Sequence, residues 1–215
     1  MPEVLTLHEA FASAAGTLRQ AGIETPELDA RLLLCHAADL THEAYIARGR
    51  ETLPAEAGVR LDAALARRLK REPVSRIIGR REFYGREFLV GDQTLDPRPD
   101  TETLVAAALA LADVRYGGIR PLRLLDLGTG TGCILLTLLA ELPEAEGLGT
   151  DLNQAALRLA TANAERLGLS ARASFRLSDW FEWLREGSIV ASAGSKSSMD
   201  GFDMIVANPP YLATA

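Results

Sequence analysis

The stretch LRLLDLGTGTGCILLTL, residues Leu122 to Leu138, decides the fold. Leu122, Leu124, Leu125 and Leu127 form a short apolar run of strand length. It ends in Gly128-Thr129-Gly130-Thr131-Gly132, and a second apolar run at helical spacing follows. Strand, glycine turn and helix make the unit that cradles a nucleotide-like ligand at the carboxyl edge of a parallel sheet.

The same rhythm continues outward. The first helix runs from about Gly132 to Leu142 and stops at Pro143. A short strand from Ala145 to Thr150 leads into Asp151, and a helix from Gln154 to Leu167 ends at Gly168. A third strand, Ala171–Leu177, runs toward Asp179-Trp180, and a fourth, Phe202–Ala207, delivers Asn208. Alternating strand and helix predicts an α/β domain with an open parallel, Rossmann-like sheet over residues 97–215. Gly187 to Gly201 is rich in Ser, Gly and Ala and reads as a loop inserted before the fourth strand.

Residues 1–75 read as a small helical domain. Thr6-Leu7-His8-Glu9 is a capping box, followed by Leu7, Ala10, Phe11, Ala14, Ala15 and Leu18 on one face. Thr25-Pro26 predicts a second start and Thr41 a third. A longer helix runs from about Pro54 to Arg71, with Leu61, Leu65 and Leu69 four apart and Pro73 as its limit. Residues 76–96 predict a hairpin linker around Gly85. Leu95-Asp96-Pro97-Arg98-Pro99-Asp100-Thr101-Glu102 is a proline-stiffened segment in which Asp100 or Thr101 can cap the next helix. It is equally suited to be a structural clamp or the wall of an active site.

Composition narrows the classes. The chain has 215 residues, 47% hydrophobic, with a net charge of -6. That argues against a surface built wholly to hold nucleic acid. The basic run Arg67 to Arg86 is local and reads first as a solvated face. Two cysteines, Cys35 and Cys133, lack ligand spacing, so neither a metal site nor a disulfide framework is expected. No secretory leader and no run near the ~20 apolar residues of a membrane span is visible, so the expected location is cytoplasmic.

The glycine spacing bears on the ligand. A dinucleotide fingerprint puts its third glycine where this chain has Cys133. Asp126, at the strand end, sets a negative charge beside the loop, which suits a ligand bearing sulfonium and ammonium groups better than a pyrophosphate. Asp151 is placed to grip ribose hydroxyls, Asp179 to bond an adenine amino group, and Trp180 or Phe181 to cover the ring. These features together predict S-adenosylmethionine, held by Asp126, Gly128, Thr129, Gly130, Gly132, Asp151, Asp179, Trp180 and Asn208.

Asn208-Pro209-Pro210-Tyr211 supplies the chemistry. The Asn208 side-chain oxygen and the Pro209 carbonyl can each accept one N–H of a substrate NH2 group. Two prolines pre-shape that backbone. Tyr211 can flank a planar amide or ring. The predicted catalytic residues are Asn208, Pro209 and Tyr211, and the predicted substrate contacts add Pro210 and Arg98.

On these motifs, with Glu72-Pro73-Val74 and Ile78-Gly79-Arg80-Arg81-Glu82-Phe83-Tyr84-Gly85, the chain resembles the peptide-release-factor glutamine-N5 methyltransferases of the HemK/PrmC family. The resemblance covers essentially the whole chain. Asn-Pro-Pro-Tyr alone is also similar to the motif of adenine-N6 DNA methyltransferases. The family resemblance implies a helical domain that recognises release factors, joined by the hairpin to a class I methyltransferase domain. It implies a substrate glutamine in the Gly-Gly-Gln motif of bacterial class 1 release factors, and a monomer with no stable DNA binding. Alternatives are a DNA-adenine or ribosomal-protein-glutamine methyltransferase, or a non-catalytic release-factor-binding form. Asp96 stands where the family is commonly apolar, and Asp100 where Glu is common. The chain stops at Ala215, four residues past Tyr211, with four strands recognisable where a class I sheet has seven. A C-terminally truncated member, weakly active or unstable, is therefore expected.

Overall fold

Thr6 opens the first helix as its capping box requires. The Thr6 hydroxyl accepts from the Glu9 N–H at 3.3 Å, and Glu9 accepts from the Thr6 N–H at 2.8 Å. That satisfies two helix-end donors reciprocally. The computed structural model describes residues 5–117, 121–182 and 201–209. It divides into two units, Met1–Gly79 and Arg80–Ala215.

The first unit holds α1 (Leu7–Gln20), α2 (Pro26–Ala38), α3 (His42–Arg48), α4 (Ala55–Leu69) and α5 (Val74–Ile78). Leu33, Leu34, Leu61 and Ile77 meet in its core. Thr41 caps α3 by accepting from the Ala44 N–H. Thr25 does not cap α2; Pro26 starts that helix and the Thr25 hydroxyl donates to Asp29 instead. Asp29 is nearly buried, and its other oxygen accepts from Arg68 Nε at 2.7 Å. A charge so placed demands a partner. The leucine stripe of α4 fades along the helix: Leu61 is buried and Leu69 is exposed.

Most of the basic run is spent on internal bonds. Arg67 pairs with Glu72, Arg68 with Asp29, Arg80 with Glu87 and Arg86 with Glu141. Arg71 donates to the carbonyls of Ala21 and Gly22. This favours the plain reading of the run over a docking surface for acidic partners.

The second unit begins with the hairpin β1 (Arg80–Phe83) and β2 (Arg86–Leu89), which pair antiparallel. Tyr84 and Gly85 both take positive φ, 52° and 71°, the geometry of a tight two-residue hairpin turn. Phe83 and Phe88 are buried in the main core, their rings edge to face. Helix α6 (Pro99–Tyr116) follows, with Arg98 at its N-cap position and Pro99 as its first residue. Asp100 and Thr101 therefore sit inside the first turn and neither caps the helix. Glu102 accepts from the Tyr84 N–H at 3.0 Å and so ties α6 to the hairpin turn.

The remaining elements are β3 (Arg123–Leu127), α7 (Cys133–Glu141), β4 (Glu146–Asp151), α8 (Gln154–Arg166), β5 (Ala173–Leu177) and β6 (Met204–Ala207). The four strands from β3 on form one parallel sheet in the order β5-β4-β3-β6. β3 is central and buried on both faces. Leu124 enters the core filled by α7, while Leu125 and Leu127 pack with Leu148 and Phe202 on the other face. That is why its sequence reads as a continuous apolar run rather than an alternating one. Leu135, Leu136, Leu138 and Leu139 of α7 are fully buried. The loop read at 187–201 lies almost wholly outside the described residues, as do Pro210 and Tyr211. Among the described residues no helix is long and apolar enough to cross a membrane.

Candidate active site

Parallel pairing puts the carboxyl ends of all four sheet strands at one edge. Leu127 lies level with Thr150 on one side and Ala207 on the other, and Asp151 lies level with Leu177. Each strand then releases a different loop into one cleft of about 570 Å³. That volume is in the usual range for a small-molecule site.

The glycine loop forms the floor. The Thr129 N–H donates to the Thr150 carbonyl and the Gly132 N–H to the Thr129 carbonyl, both at 2.8 Å. Gly128 and Gly130 have φ of 71° and 56°, and a Cβ at either would meet nothing within 4 Å. Backbone is thus presented to open space at these two positions, where a bulky ligand can approach closely. Gly132 differs: a Cβ there would come within 3.0 Å of Leu136 and 3.2 Å of Ala160. The third glycine serves the packing of α7 against α8 and does not line the cleft.

Asp126 also departs from expectation. It is fully buried beneath the loop and is not on the cleft wall. Its Oδ2 accepts from the Thr129 hydroxyl at 2.7 Å, whereas Oδ1 has no hydrogen-bond partner of acceptable geometry among the described residues. Burial pushes the carboxyl up to about 6, with the neighbouring charge of Asp151 adding to the rise and the Thr129 hydroxyl and Leu135 amide opposing it. Asp126 fastens the loop from below, and its charge does not face a ligand. A folded pKa above the unfolded value means the folded state holds the proton more tightly. Stability is lost as pH rises from about 4 to about 6, by roughly 1.4 kcal/mol per pH unit at most. In Asp126→Asn this loss is expected to disappear, so denaturant midpoints of the two proteins should diverge across that window. Parallel profiles would contradict the placement.

Asp151 is bound on both oxygens. Oδ2 accepts from the Gly130 N–H and Oδ1 from the Asn153 N–H, each at 2.9 Å. Each oxygen keeps a further lone pair for a hydroxyl. Asn153 caps α8 by accepting from the Ala155 N–H, and its Nδ2 donates to Gln93. Leu152 is 69% exposed at the cleft, a costly position for a large apolar side chain without a ligand against it. Asp179 and Trp180 line the next part of the wall. Trp180 holds a positive φ of 44°, rare for a bulky residue, and is 51% exposed.

Asn208 emerges from β6 onto the same cleft with Pro209. Its Nδ2 donates to the Thr101 hydroxyl at 3.0 Å, across 107 residues of chain. Arg98 and Thr101 of the proline-stiffened segment are on the wall, while Glu102 is the residue that clamps the hairpin. The segment is thus both clamp and wall, split between neighbouring residues.

Of the residues expected at the site, Arg98, Gly128, Thr129, Gly130, Asp151, Asp179, Trp180, Asn208 and Pro209 share one cleft. Asp126 and Gly132 do not line it. The reading missed Gln93, Thr94 and Leu95, which wall the cleft, and also Leu152 and Ser178. The adjacent Pro97 and Pro99 were the available signal for that strap, and the position after Asp151 was the signal for Leu152. Cys133 reaches the cleft, but burial pushes its thiol up to about 12, so it is no nucleophile. Among the described residues no cluster of three or more metal-ligating side chains occurs.

The PrmC N-terminal domain model matches residues 9–79, and a methyltransferase domain model matches residues 120–214. A release factor glutamine methyltransferase of Rhodospirillum rubrum is 46% identical, over 98% of this chain and 59% of its own length. One of Koribacter versatilis is 40% identical, over 97% of this chain and 68% of its own. The chain spans 59% to 66% of the first three such relatives. A SAM-dependent methyltransferase from Thiobacillus denitrificans, solved with S-adenosyl-L-homocysteine, is 27% identical over 51% of this chain and 36% of its own, with a TM-score of 0.35.

Proposed function

The chain belongs to the release factor glutamine methyltransferase family, and we propose that it moves a methyl group from S-adenosylmethionine to the side-chain amide nitrogen of a glutamine. The glutamine is that of the Gly-Gly-Gln motif in bacterial class 1 release factors, recognised in part by the helical residues 1–75. One observation carries this reading: Asn208, an uncharged acceptor beside Pro209, lines the same cleft as the open glycine loop and Asp151.

The residues present suit the cofactor. Gly128 and Gly130 leave space over their backbone. Asp151 is pinned by two N–H groups with lone pairs to spare and would hold ribose hydroxyls. Asp179 would bond the adenine amino group, and Trp180 would cover its ring. S-adenosylmethionine supplies, when bound, a methyl group on a positive sulfonium.

Asn208 Oδ1 and the Pro209 carbonyl accept the two N–H groups of the substrate amide. Both hydrogens held in this way aim the nitrogen and stabilise the positive charge it gains on methylation. The bound group would supply its methyl by exchanging a carbon–sulfur bond for a carbon–nitrogen bond, and the extra amide proton would leave to water. No general base is required before transfer. The Gly-Gly-Gln loop would pack against Tyr211.

The test is incubation of this chain with labelled S-adenosylmethionine and either a class 1 release factor or DNA, followed by mass spectrometry. Label on the Gly-Gly-Gln glutamine is the expected result. Label on adenine, or none on the release factor, would overturn the assignment.

A further inference from the structure

Thr101 makes a bond that the chemistry at Asn208 needs and that no motif reading assigns. Asn208 is exposed at the cleft, where water competes for its amide and its χ2 torsion has two nearly equivalent settings. The settings are chemically opposite. One turns the oxygen toward the substrate, and the other turns the NH2 group there. A substrate NH2 group can be held only by the first, because two donors facing each other repel.

We propose that Thr101 is the positioning residue that anchors the Asn208 amide in the cleft, so that it does not turn freely between the two settings. Its hydroxyl accepts from Asn208 Nδ2 at 3.0 Å, a bond that leaves Oδ1 unused. Thr101 lies in the first turn of α6, three residues after Arg98, whose carbonyl accepts from the Thr101 N–H at 3.0 Å. The hydroxyl is therefore carried on a rigid helix start rather than on a loop. This inference deepens the methyl-transfer reading and rests on it.

The test compares Thr101→Val, which keeps the shape and deletes the hydroxyl, with Thr101→Ser, which keeps the hydroxyl. Two readouts are taken on the 215-residue chain. The first is the side-chain amide resonance of Asn208 in a nitrogen-15 spectrum, assigned by its loss in Asn208→Asp. It is expected to move and to exchange faster with water in Thr101→Val, and to stay in place in Thr101→Ser. The second is methyl transfer to a release factor, expected to fall roughly 10- to 100-fold in kcat in Thr101→Val. The KM for the methyl donor should be unchanged, and Thr101→Ser should recover most of the rate. If Thr101→Val does not fold, Thr101→Ala takes its place in both measurements. An unmoved resonance, or full kcat without the hydroxyl, overturns the proposal. If the wild-type chain transfers no methyl group, the functional reading fails on its own, and the resonance still decides whether Thr101 orients Asn208.

Discussion

Replacing Asn208 with alanine is expected to slow methyl transfer by about 10²- to 10³-fold while leaving affinity for the methyl donor almost unchanged. The magnitude is that of removing one preorganised polar partner from a developing charge. The asymmetry follows from the bonds proposed for it. In the proposed function Asn208 Oδ1 accepts from the substrate nitrogen, and that bond strengthens as the nitrogen becomes positive, so the loss appears in kcat. Donor binding is proposed to rest on other strand ends, chiefly the loop at Gly128 and Gly130 and the doubly bonded Asp151. Single-turnover rates set beside donor titrations of the same protein make the check. An equal loss of rate and of donor affinity would show that Asn208 builds the cofactor site rather than acting on the substrate.

The largest loss of stability is expected from Asn163→Leu. Asn163 lies on α8 and is fully buried, yet three of its bonding positions are filled. Oδ1 accepts from the Leu89 N–H at 2.8 Å, and Nδ2 donates to the carbonyls of Leu89 at 3.1 Å and Thr131 at 2.9 Å. One side chain therefore joins the end of the hairpin to the underside of the glycine loop. Leucine has nearly the same shape but leaves a donor and two acceptors unmatched. At roughly 1–3 kcal/mol for a buried unsatisfied group, with the acceptors at the low end, the cost is about 3 kcal/mol. That is a large share of a typical domain's stability. Trp180 lies in the second unit and neither of the chain's two tryptophans precedes residue 80, so tryptophan fluorescence carries no signal from the helical unit. A denaturant midpoint corresponding to less than about 1 kcal/mol of change would refute the accounting. Donor affinity should fall as well, because the Thr131 carbonyl loses its anchor.

Much of the fold is legible in the chain because local physics dominates there. The capping box at Thr6 and Glu9 forms wherever a helix can start. The apolar run at Leu122–Leu127 is readable because a central parallel strand is buried on both faces. Asp151 and Asn208 were found by position, since a residue ending a parallel strand must reach the carboxyl edge. The readings that failed were those in which a local rule competed with a distant partner. Thr25 has the chemistry of a cap, but the buried Asp29 claimed its hydroxyl. Asp100 and Thr101 have it too, but Pro99 began the helix before them. The basic run from Arg67 to Arg86 was consumed largely by carboxylates and carbonyls that only folding brought near.

The sequence alone determined the order of most elements, the parallel sheet, the glycine turn and the residues that end its strands, because each depends on periodicity or on a few neighbouring residues. Tertiary structure decided which way the side chains at those positions look. It buried Asp126 under the loop, gave Gly132 to helix packing and brought Gln93 to Leu95 to the cleft wall. It also set Thr101 against Asn208 across 107 residues. Such contacts are absent from any local window of sequence, since they exist only once the sheet has closed the distance between its ends.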